Sequence, residues 1–471
     1  MRKTKVICTI GPASSDEKVL EKLMKAGMNV ARLNFSHGTH EEQGKKIESI
    51  KKVRSNLNLP IAIMLDTKGP EYRIKTFKNG KVVINDGDTF AFTTEDIIGD
   101  EKRVSVTYTH LIEELSIGDR ILVNNGLIIC EVRELTATDA ICDVIVGGEL
   151  SNQKSMNFPN KVLKQEFLSK QDKEDLLFGI QNDVDYVAAS FVSTKQDVVD
   201  LRNFLNENGG SDIDIIAKIE NRAGVDNIEE ICEIADGIMI ARGDLGVEIP
   251  AIEVPSIQKY LINKCRMLGT RVITATEMLE SMIEKPRATR AEISDVANAV
   301  YDGTSAVMLS GETASGKYPV EAVKYMVETV TYTENHIHYS KRFKNIELDI
   351  KNNIDAISHS TCSMAIDLNA KAIVVNSLSG RTARMVSRFR CPVDIIGMTN
   401  SEKVWRKLNL SWGVTPVLCD TYDSIEVMFH MAKQKAKEIM GLQKNDNVVL
   451  TGGLMNGTSG NTNTIKVETI K

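Results

Sequence analysis

The sequence predicts an α/β protein built on a TIM (β/α)8 barrel, with an inserted small β-barrel lid domain and a C-terminal α/β open-sheet domain. Short apolar runs alternate with helical segments about eight times once residues 71–170 are set aside. Those residues show little helical periodicity, many β-branched side chains and turn dipeptides such as Asn79-Gly80. After a polar stretch at residues 335–353 the alternation begins again. The predicted domains are 1–70 plus 171–345 for the barrel, 71–170 for the lid and 346–471 for the C-terminal domain.

Each predicted barrel strand is a short apolar run bounded by polar residues, as expected of strands buried on both faces of a parallel sheet. The eight runs are residues 5–10, 28–35, 61–65, 186–190, 213–219, 237–241, 271–275 and 306–309. The first helix is predicted to have Ser15 as its N-cap and to end at Gly27. The strands predicted for the C-terminal domain are residues 372–375, 394–398, 414–418 and 447–451.

The composition argues against several classes of protein. The chain of 471 residues carries a net charge of −6, which argues against a nucleic-acid partner. Its eight cysteines are scattered without a Cys-x-x-Cys pair, as in proteins of a reducing cytosol. We find no secretory segment and no apolar run long enough to span a bilayer. The sequence therefore predicts a cytoplasmic protein without a membrane or nucleic-acid partner.

Polar side chains follow nearly every predicted barrel strand. The active site of a (β/α)8 barrel lies at its C-terminal mouth, so these residues are the candidates for binding and catalysis. Such groups suit phosphate or metal binding, although each one alone could equally be a helix cap. They are Asn34 with Ser36, Asp66 with Thr67, Ser190, Lys218 with Glu220, Arg242 with Asp244, Thr276, and Ser310 with Glu312.

The run at residues 213–219 ends in a lysine, which is costly to bury without an anionic partner. Lys218 and Glu220 are two residues apart and therefore point to the same side of the strand. The next strand along the chain delivers a second carboxylate, Asp244. Two carboxylates with a lysine between them suit a divalent metal and a phosphorylated substrate. The alternative is a buried ion pair with a purely structural role.

The first predicted strand of the C-terminal domain runs into a hydroxyl-rich loop, residues 376–382, directly before a helix. Hydroxyl groups, a glycine and an arginine at a helix N-terminus form a good phosphate site. A second glycine-rich loop, residues 452–463, is predicted to close over the same ligand. The alternative is that the first loop caps the helix and does nothing more.

Eight stretches of the chain, taken in order, carry a family resemblance. They are Cys8-Thr-Ile-Gly-Pro12, Arg32-Leu-Asn-Phe-Ser-His-Gly38, Asp66-Thr-Lys-Gly-Pro-Glu71, Lys218-Ile-Glu-Asn221, Ala241-Arg-Gly-Asp-Leu-Gly246, Thr274-Ala-Thr-Glu-Met-Leu279, Pro286-Arg-Ala-Thr-Arg-Ala-Glu292 and Leu309-Ser-Gly-Glu-Thr313. These stretches resemble pyruvate kinase over essentially the whole chain. The length looks like that of a bacterial member without an appended C-terminal phosphotransfer domain.

The resemblance implies a phosphotransferase that moves the phosphoryl group of phosphoenolpyruvate to ADP, giving pyruvate and ATP, the last step of glycolysis. Lys218 would neutralise charge on the migrating phosphoryl group and then on the enolate oxygen. Arg32 and Arg73 would bind phosphate oxygens, which a guanidinium matches bidentately. Backbone N–H groups at Gly243 and Asp244 would bind the substrate carboxylate. Thr276 would lie where the enolate is protonated.

The same resemblance implies two cations, a nucleotide site and an effector site. Mg²⁺ (or Mn²⁺) would be held by Glu220 and Asp244, and K⁺ by Asn34, Ser36, Asp66 and Thr67. The inserted domain would be a lid that excludes water during transfer. The family also implies a homotetramer and an allosteric activator that is a sugar phosphate or a nucleotide. The nucleotide residues would be Asn34, His37 and Arg73, and the effector residues Ser377, Ser379, Gly380, Arg381 and Thr382.

Several positions depart from the family pattern. The lid carries Asn124 and Asn125 where an acidic pair is usual, and Asn160 where glycine is common. Near the end of the lid, Lys170 is one position earlier than expected and is followed by Gln171. A lysine there normally meets nucleotide phosphate, so these departures bear on lid closure and on ADP affinity. The remaining departures are Tyr72, Glu277 and Leu378.

Two other functions are compatible with parts of the pattern. A magnesium-dependent aldolase or lyase on a similar barrel would share the metal carboxylates but would need neither the lid nor Arg73. A non-catalytic regulator that binds sugar phosphates would explain only the lid departures. Retention of Lys218, Glu220, Asp244 and Thr276 disfavours the regulator. An assay with phosphoenolpyruvate and ADP, coupled to lactate dehydrogenase, separates all three.

The sequence also predicts that activity requires K⁺, because the family position that decides this is Glu71. Members with glutamate there need the ion, whereas a lysine there supplies a tethered ammonium in its place. Replacing K⁺ with tetramethylammonium at equal ionic strength is expected to cause a large loss of rate in the coupled assay. Glu71→Lys is expected to recover part of that rate. Full activity of the unmodified protein without K⁺ would contradict the prediction.

Overall fold

The computed structural model of the chain describes residues 1–70, 72–159, 161, 166–345, 350–422, 424–453 and 462–471. Glu71, Asn160 and residues 454–461 of the second glycine-rich loop lie outside the described residues. Within the described part of the chain, no helix combines the length and the apolar character needed to cross a membrane.

Eight parallel strands close into a barrel, which confirms the predicted fold class. The strands are β1 (Lys5–Thr9), β2 (Val30–Asn34), β3 (Ala62–Asp66), β13 (Tyr186–Ala189), β14 (Asp214–Ile219), β15 (Gly237–Ala241), β16 (Arg271–Ala275) and β17 (Ala306–Leu309). Around the barrel their order is β1-β17-β16-β15-β14-β13-β3-β2. One set of buried side chains fills the barrel interior, and a larger set packs between the strands and the outer helices. Apolar residues on both faces explain why the sequence shows nearly unbroken apolar runs.

Helices cover the outside of the barrel. The first helix has Asp16 as its N-cap, so the prediction of Ser15 is wrong by one residue: the Asp16 carboxylate accepts the N–H groups of Lys18 and Val19 at 2.9 and 3.3 Å. Short 3-10 helices occur at Ala251–Glu253 and Glu280–Ile283. The α-helices are α1 (Glu17–Ala26), α2 (His40–Leu57), α4 (Lys170–Gln181), α5 (Lys195–Glu207), α6 (Arg222–Asp226), α7 (Ile228–Ile234), α8 (Arg242–Glu248), α9 (Val254–Leu268), α10 (Arg290–Asp302), α11 (Gly311–Ala314), α12 (Pro319–Asn335) and α13 (Tyr339–Lys344).

The chain between β3 and α4 forms a separate mixed sheet with its own apolar core. Its turn between β8 and β9 contains Asn124 and Asn125, both at φ 56°, a left-handed conformation that asparagine tolerates. The strands are β4 (Tyr72–Arg73), β5 (Lys81–Ile84), β6 (Thr89–Thr93), β7 (Arg103–Ser105), β8 (Arg120–Val123), β9 (Ile128–Leu135), β10 (Asp139–Val146), β11 (Gly148–Ser151) and β12 (Ser155–Asn157), with a short helix α3 (Leu111–Glu114). Seven strands pair in the order β4-β12-β8-β9-β10-β6-β7, and β11 pairs with β5.

The C-terminal part is an α/β unit with a five-stranded sheet in the order β20-β19-β18-β21-β22. Four of its strands are parallel and were predicted; the fifth, β22, is an antiparallel edge strand that the sequence analysis missed. The strands are β18 (Ala372–Asn376), β19 (Asp394–Thr399), β20 (Val414–Leu418), β21 (Asn447–Gly452) and β22 (Thr464–Thr469). The helices are α14 (Asn353–Asp367), α15 (Arg381–Arg388), α16 (Glu402–Leu408) and α17 (Ile425–Met440).

Buried charges join the N-terminal end of the barrel to the C-terminal unit. Asp214, the first residue of β14, pairs with Arg271 of β16 and accepts from Lys407 Nζ at 2.7 Å. Arg384 of α15 lies 3.9 Å from the same carboxylate. Burial alone would raise the pKa of Asp214, but these cations hold it well below its usual range. Leu410, from the C-terminal unit, packs with the apolar side chains that fill the barrel interior.

We predict that Asp214→Asn destabilises the protein by about 3 kcal/mol at neutral pH, because it leaves the buried Arg271 and the half-buried Lys407 without the carboxylate that pairs with both. The measurement is the midpoint of urea unfolding followed by far-UV circular dichroism. Asp212→Asn is the matched control, since the Asp212 side chain is 61% exposed and 3.4 Å from Lys403. The control is expected to change stability by less than about 0.5 kcal/mol. Equal midpoints for the two variants would contradict the prediction.

Candidate active site at the mouth of the barrel

Lys218 lies at the C-terminal end of β14 and is only 8% exposed. Its Nζ donates to Ser190 Oγ at 2.6 Å and to Asp66 Oδ1 at 3.1 Å, and lies 3.0 Å from Glu220 Oε1. Burial alone would lower the pKa of Lys218, but Asp66 and Glu220 more than offset it and raise the pKa above its ordinary value. The site therefore holds a fixed positive charge in a place with little water.

Asp66, at the end of β3, connects this lysine to an arginine. Arg32 Nε donates to Asp66 Oδ2 at 2.6 Å, and Arg32 Nη1 donates to Thr9 Oγ1 at 2.9 Å. Burial alone would raise the pKa of Asp66, but Arg32 and Lys218 together hold it below its ordinary value. Asp66 therefore keeps its negative charge and fixes both cations at the mouth of the barrel.

Two carboxylates lie beside the lysine. Glu220 is 1% exposed, and its Oε2 accepts the backbone N–H of Phe191 at 2.6 Å. Burial raises the pKa of Glu220, and so does the charge of Asp244, whereas Lys218 opposes the shift. Asp244 is exposed in the first turn of α8. The structure thus brings the two predicted metal ligands close enough to influence one another.

Thr276 follows β16 in a left-handed conformation with φ 66°, which is costly for a β-branched residue. Its Oγ1 donates to the Ala275 carbonyl at 2.6 Å and accepts the N–H of Gly243 at 2.8 Å. Arg242 holds this loop by donating from Nη2 to the Thr276 carbonyl at 2.7 Å. The Arg242 guanidinium is also fixed by Asp295 at 2.7 Å. The sequence identified Arg242 only as a polar strand-end residue, and its hold on the Thr276 loop emerges from the structure.

The predicted K⁺ ligands lie at the ends of two paired strands. Asn34 of β2 is in register with Asp66 of β3, and Asn34 Oδ1 accepts the N–H of Ser36 at 3.0 Å. Thr67 is buried, and its carbonyl accepts Ser190 Oγ at 2.7 Å. Ser36 is exposed. The structure therefore brings these oxygens to the edge of the Lys218 cluster, by which we mean Lys218 with Asp66, Ser190, Glu220 and Arg32.

A cavity of about 810 Å³ opens beside Arg32 and includes Asn34 and His37, two of the predicted nucleotide residues. The third, Arg73, lies on β4 of the inserted sheet, where its Nη1 donates to the Gln153 carbonyl at 2.6 Å. The α2 side of the cavity was not predicted from the sequence. Helical spacing on one face of α2 was the available signal. The α2 residues that line the cavity are Glu42, Lys45, Lys46 and Ser49.

The lid departures near α4 have local structural explanations. Ser169 is the N-cap of α4 and forms a capping box with Asp172, which also accepts the N–H of Gly69 at 3.1 Å. Lys170 is 93% exposed at the side chain, 3.9 Å from Glu174. Gln171 donates to Asp175 Oδ1 at 2.9 Å. Lys170 therefore faces solvent in this structure.

The predicted effector residues surround the start of α15. Gly380 has φ 75° and precedes the helix, and Ser377 N–H donates to the Met398 carbonyl at 3.0 Å. Thr382 Oγ1 lies 2.5 Å from Thr462 Oγ1, and both residues are buried. Thr382, in the hydroxyl-rich loop, thus contacts Thr462, near the end of the glycine-rich loop at residues 452–463. Ser379 and Arg381 are exposed, and Arg381 lines a cavity next to the barrel.

A buried, charged lysine between carboxylates at the mouth of a (β/α)8 barrel, next to an arginine and a large cavity, is the arrangement of a phosphotransferase. The pyruvate kinase barrel domain model matches residues 1–323, and the pyruvate kinase alpha/beta domain model matches residues 355–468. The chain belongs to the pyruvate kinase family.

Similar proteins agree with this assignment over the whole chain. A pyruvate kinase of Clostridium acetobutylicum is 46% identical over 473 residues, covering 100% of both chains. A pyruvate kinase of Geobacillus stearothermophilus is 46% identical over 475 residues, covering 100% of this chain and 80% of its own. The crystal structure of a pyruvate kinase from Cryptosporidium parvum has a TM-score of 0.95 at 36% identity, covering 99% of this chain and 96% of its own. The predicted family, function and enzyme class are confirmed, and the lyase and regulator alternatives are set aside.

We predict that Lys218→Met lowers the turnover number by about 10²-fold or more, because it removes a positive charge that acts in the transition state. Binding of phosphoenolpyruvate, measured by equilibrium dialysis, is expected to remain largely intact. Lys22→Met, at an exposed position of α1, is the matched control and is expected to keep normal turnover. Near-normal turnover of Lys218→Met would contradict the catalytic assignment.

Proposed function

We propose that the Lys218 cluster carries the pyruvate kinase reaction, in which the phosphoryl group of phosphoenolpyruvate passes to ADP and leaves pyruvate and ATP. The observation that carries the proposal is the charged lysine held by Ser190, Asp66 and Glu220. Phosphoryl transfer needs positioning and charge neutralisation more than a dedicated nucleophile. The test is production of pyruvate from phosphoenolpyruvate and ADP in the lactate-dehydrogenase-coupled assay. Absence of pyruvate formation under saturating substrates and cations would overturn it.

Lys218 and Arg32 bind the migrating phosphoryl group in this proposal. Arg32 uses Nε and Nη1 for Asp66 and Thr9, and its Nη2 has no hydrogen-bond partner within the described residues. That nitrogen is suited to a phosphate oxygen. Lys218 then stabilises the enolate oxygen left after transfer. Arg73 supplies a further guanidinium to the phosphate from the inserted domain.

Glu220 and Asp244 have the donor chemistry to hold Mg²⁺ or Mn²⁺. Mg²⁺ takes oxygen ligands and is usually bound by one or two carboxylates together with water and substrate phosphate. When bound, the metal supplies positive charge to the substrate. The electrostatic effect of Asp244 on Glu220 supports their assignment as a pair.

Asn34, Ser36, Asp66 and Thr67 are proposed to hold K⁺. Their oxygens are mostly neutral and lie at the ends of adjacent strands, which suits a large monovalent cation. Asp66 is the one carboxylate among these four residues, and it already pairs with Arg32 and Lys218. The four residues therefore offer little negative charge to a cation. When bound, the ion adds positive charge beside the substrate phosphate.

Thr276 is proposed to lie on the proton-delivery side of the enolate, and Gly243 with Asp244 to bind the substrate carboxylate through backbone N–H groups. The strained conformation of Thr276 and its bond to Gly243 support a shared role. Arg242 is a positioning residue in this scheme, since it holds the carbonyls of the Thr276 loop. Substrate binding would replace the Gly243–Thr276 bond by a bond to the carboxylate.

ADP is proposed to bind in the cavity beside Arg32, where Asn34 and His37 line the wall. Arg73 would contact the nucleotide from β4 of the inserted sheet. Residues 71–170 would act as a lid between the barrel segments 1–70 and 171–345, and 346–471 as the effector domain. A link between lid and barrel supports this: Asn157 Nδ2 donates at 2.8 Å to Glu248 of α8, the helix that bears Asp244. Closure of such a lid excludes water from the reaction.

A phosphorylated activator, a sugar phosphate or a nucleotide, is proposed to bind at Ser377, Ser379, Gly380 and Thr382, with Arg381 at the start of α15. The buried Thr382–Thr462 contact supports two loops around one ligand. A homotetramer in the cytoplasm is the proposed physiological form.

We predict that Asp244→Asn raises the Mg²⁺ concentration needed for half-maximal activity, by about tenfold or more, because one of two anionic ligands becomes neutral. The measurement is a Mg²⁺ titration in the coupled assay at saturating phosphoenolpyruvate, ADP and K⁺. Asp200→Asn, at an exposed position of α5, is the matched control and is expected to leave the titration unchanged. An unchanged Mg²⁺ requirement in Asp244→Asn would remove this residue from the metal site.

A further inference from the structure

A second charged cavity, of about 360 Å³, lies between the barrel and the C-terminal unit. Its barrel side comes from α7 and α9, and its other side from α14, α15 and the residues just before α14. We call it the interdomain cleft. The charged residues that line it are Lys264, Lys351, Arg381, Arg388, Glu229 and Asp355.

Arg388 is the most unusual of these residues because it is buried with donors left over. It is 7% exposed, and Nη1 lies 3.2 Å from Asp355 Oδ1. Its Nε and Nη2 are buried without a hydrogen-bond partner within the described ranges. Burial lowers the pKa of Arg388, and Asp355 offsets this only in part. A buried guanidinium with unused donors favours an added anion nearby.

Positive charge exceeds negative charge around the cleft, with four cations against two carboxylates. Glu229 is already paired with Lys264, and Asp355 with Arg388. Arg381 is exposed and has no side-chain partner in the described part of the chain. Lys264 belongs to the barrel and Arg381 to the C-terminal unit, so an anion in the cleft would contact both.

The cleft also has an apolar wall. Its remaining side chains include two flexible thioethers, which adapt to ligands of different shape. A volume of 360 Å³ falls within the range of small-molecule sites, which combine apolar walls with a few charged groups. The apolar residues are Met267, Leu268, Ile354 and Met385.

The cleft and the effector loop (residues 377–382) are formed by different faces of α15. Arg381, Met385 and Arg388 lie at positions i, i+4 and i+7, which form one face of a helix, and all three line the cleft. Thr382 belongs to another face and meets Thr462. Arg381, one of the five predicted effector residues, is therefore also positioned for a ligand in the cleft.

We propose that the interdomain cleft binds a phosphate monoester with an apolar or aromatic body, as a second anion site that shares Arg381 with the effector loop (residues 377–382) and otherwise uses residues outside that loop. The phosphate interacts with Arg381, Lys264 and Arg388, and the body packs on the apolar wall. A ligand of this kind bridges the barrel and the C-terminal unit.

The test is binding of AMP and of inorganic phosphate to the full chain, measured by isothermal titration calorimetry. Lys264→Ala probes the cleft alone, and Arg381→Ala probes the residue that the cleft shares with the effector loop. Thr382→Val probes the effector loop, and Lys46→Ala probes the cavity at the barrel mouth. Lys371→Ala, an exposed lysine before β18, is the matched control. Urea unfolding midpoints establish that each variant is folded.

AMP is expected to bind at least about tenfold more tightly than inorganic phosphate, because only AMP has a body for the apolar wall. Each cleft variant is expected to weaken one AMP site about tenfold, as loss of a charged partner does. That site is expected to be unchanged in Thr382→Val, Lys46→Ala and Lys371→Ala. Absence of AMP binding, equal affinity for the two probes, or AMP binding that Lys264→Ala leaves unchanged would overturn the proposal.

Discussion

The ion cluster around Lys218 is the constraint on which the mouth of the barrel depends. A buried ammonium requires anions. Glu220 follows Lys218 along the same strand segment, whereas Asp66 reaches the lysine because β3 and β14 both flank β13 in the closed barrel. Arg32 then balances Asp66, and Ser190 joins through its hydroxyl. The charges to which we assign the chemistry are thus the same charges that make burial tolerable, so the proposed catalysis depends on contacts that also stabilise the fold.

Strand β14 has a charged cluster at each end and apolar residues between them. Asp214 at its start contacts Arg271, Lys407 and Arg384, whereas Lys218 near its end contacts Asp66 and Ser190. Arg384 belongs to α15, the helix that begins at the effector loop. A short, fully packed strand therefore connects the C-terminal unit to the lysine at the barrel mouth without an intervening loop.

The barrel, its eight strands and the polar strand ends could be predicted because they follow from local patterns: a buried run fixes a strand, and the residues after it fall at one rim. What the sequence could not provide was the rotation of helices and the partners of long side chains. The hydrogen bonds of Arg242 to the Thr276 loop, the α2 side of the cavity beside Arg32 and the position of Arg381 depend on packing between distant segments. The edge strand β22 has alternating polarity but no apolar run, and for that reason the pattern of buried strands did not predict it.

The contacts between the N-terminal end of the barrel and the C-terminal unit have a consequence for how the chain folds during synthesis. Tyr186 and Arg271 contact the Lys407 carbonyl, and Leu410 enters the apolar end of the barrel. These groups come from a segment that leaves the ribosome after every barrel strand has been synthesised. A nascent barrel therefore carries unmatched charges and an open apolar end until translation has passed residue 410, a period in which exposed surface favours association with chaperones.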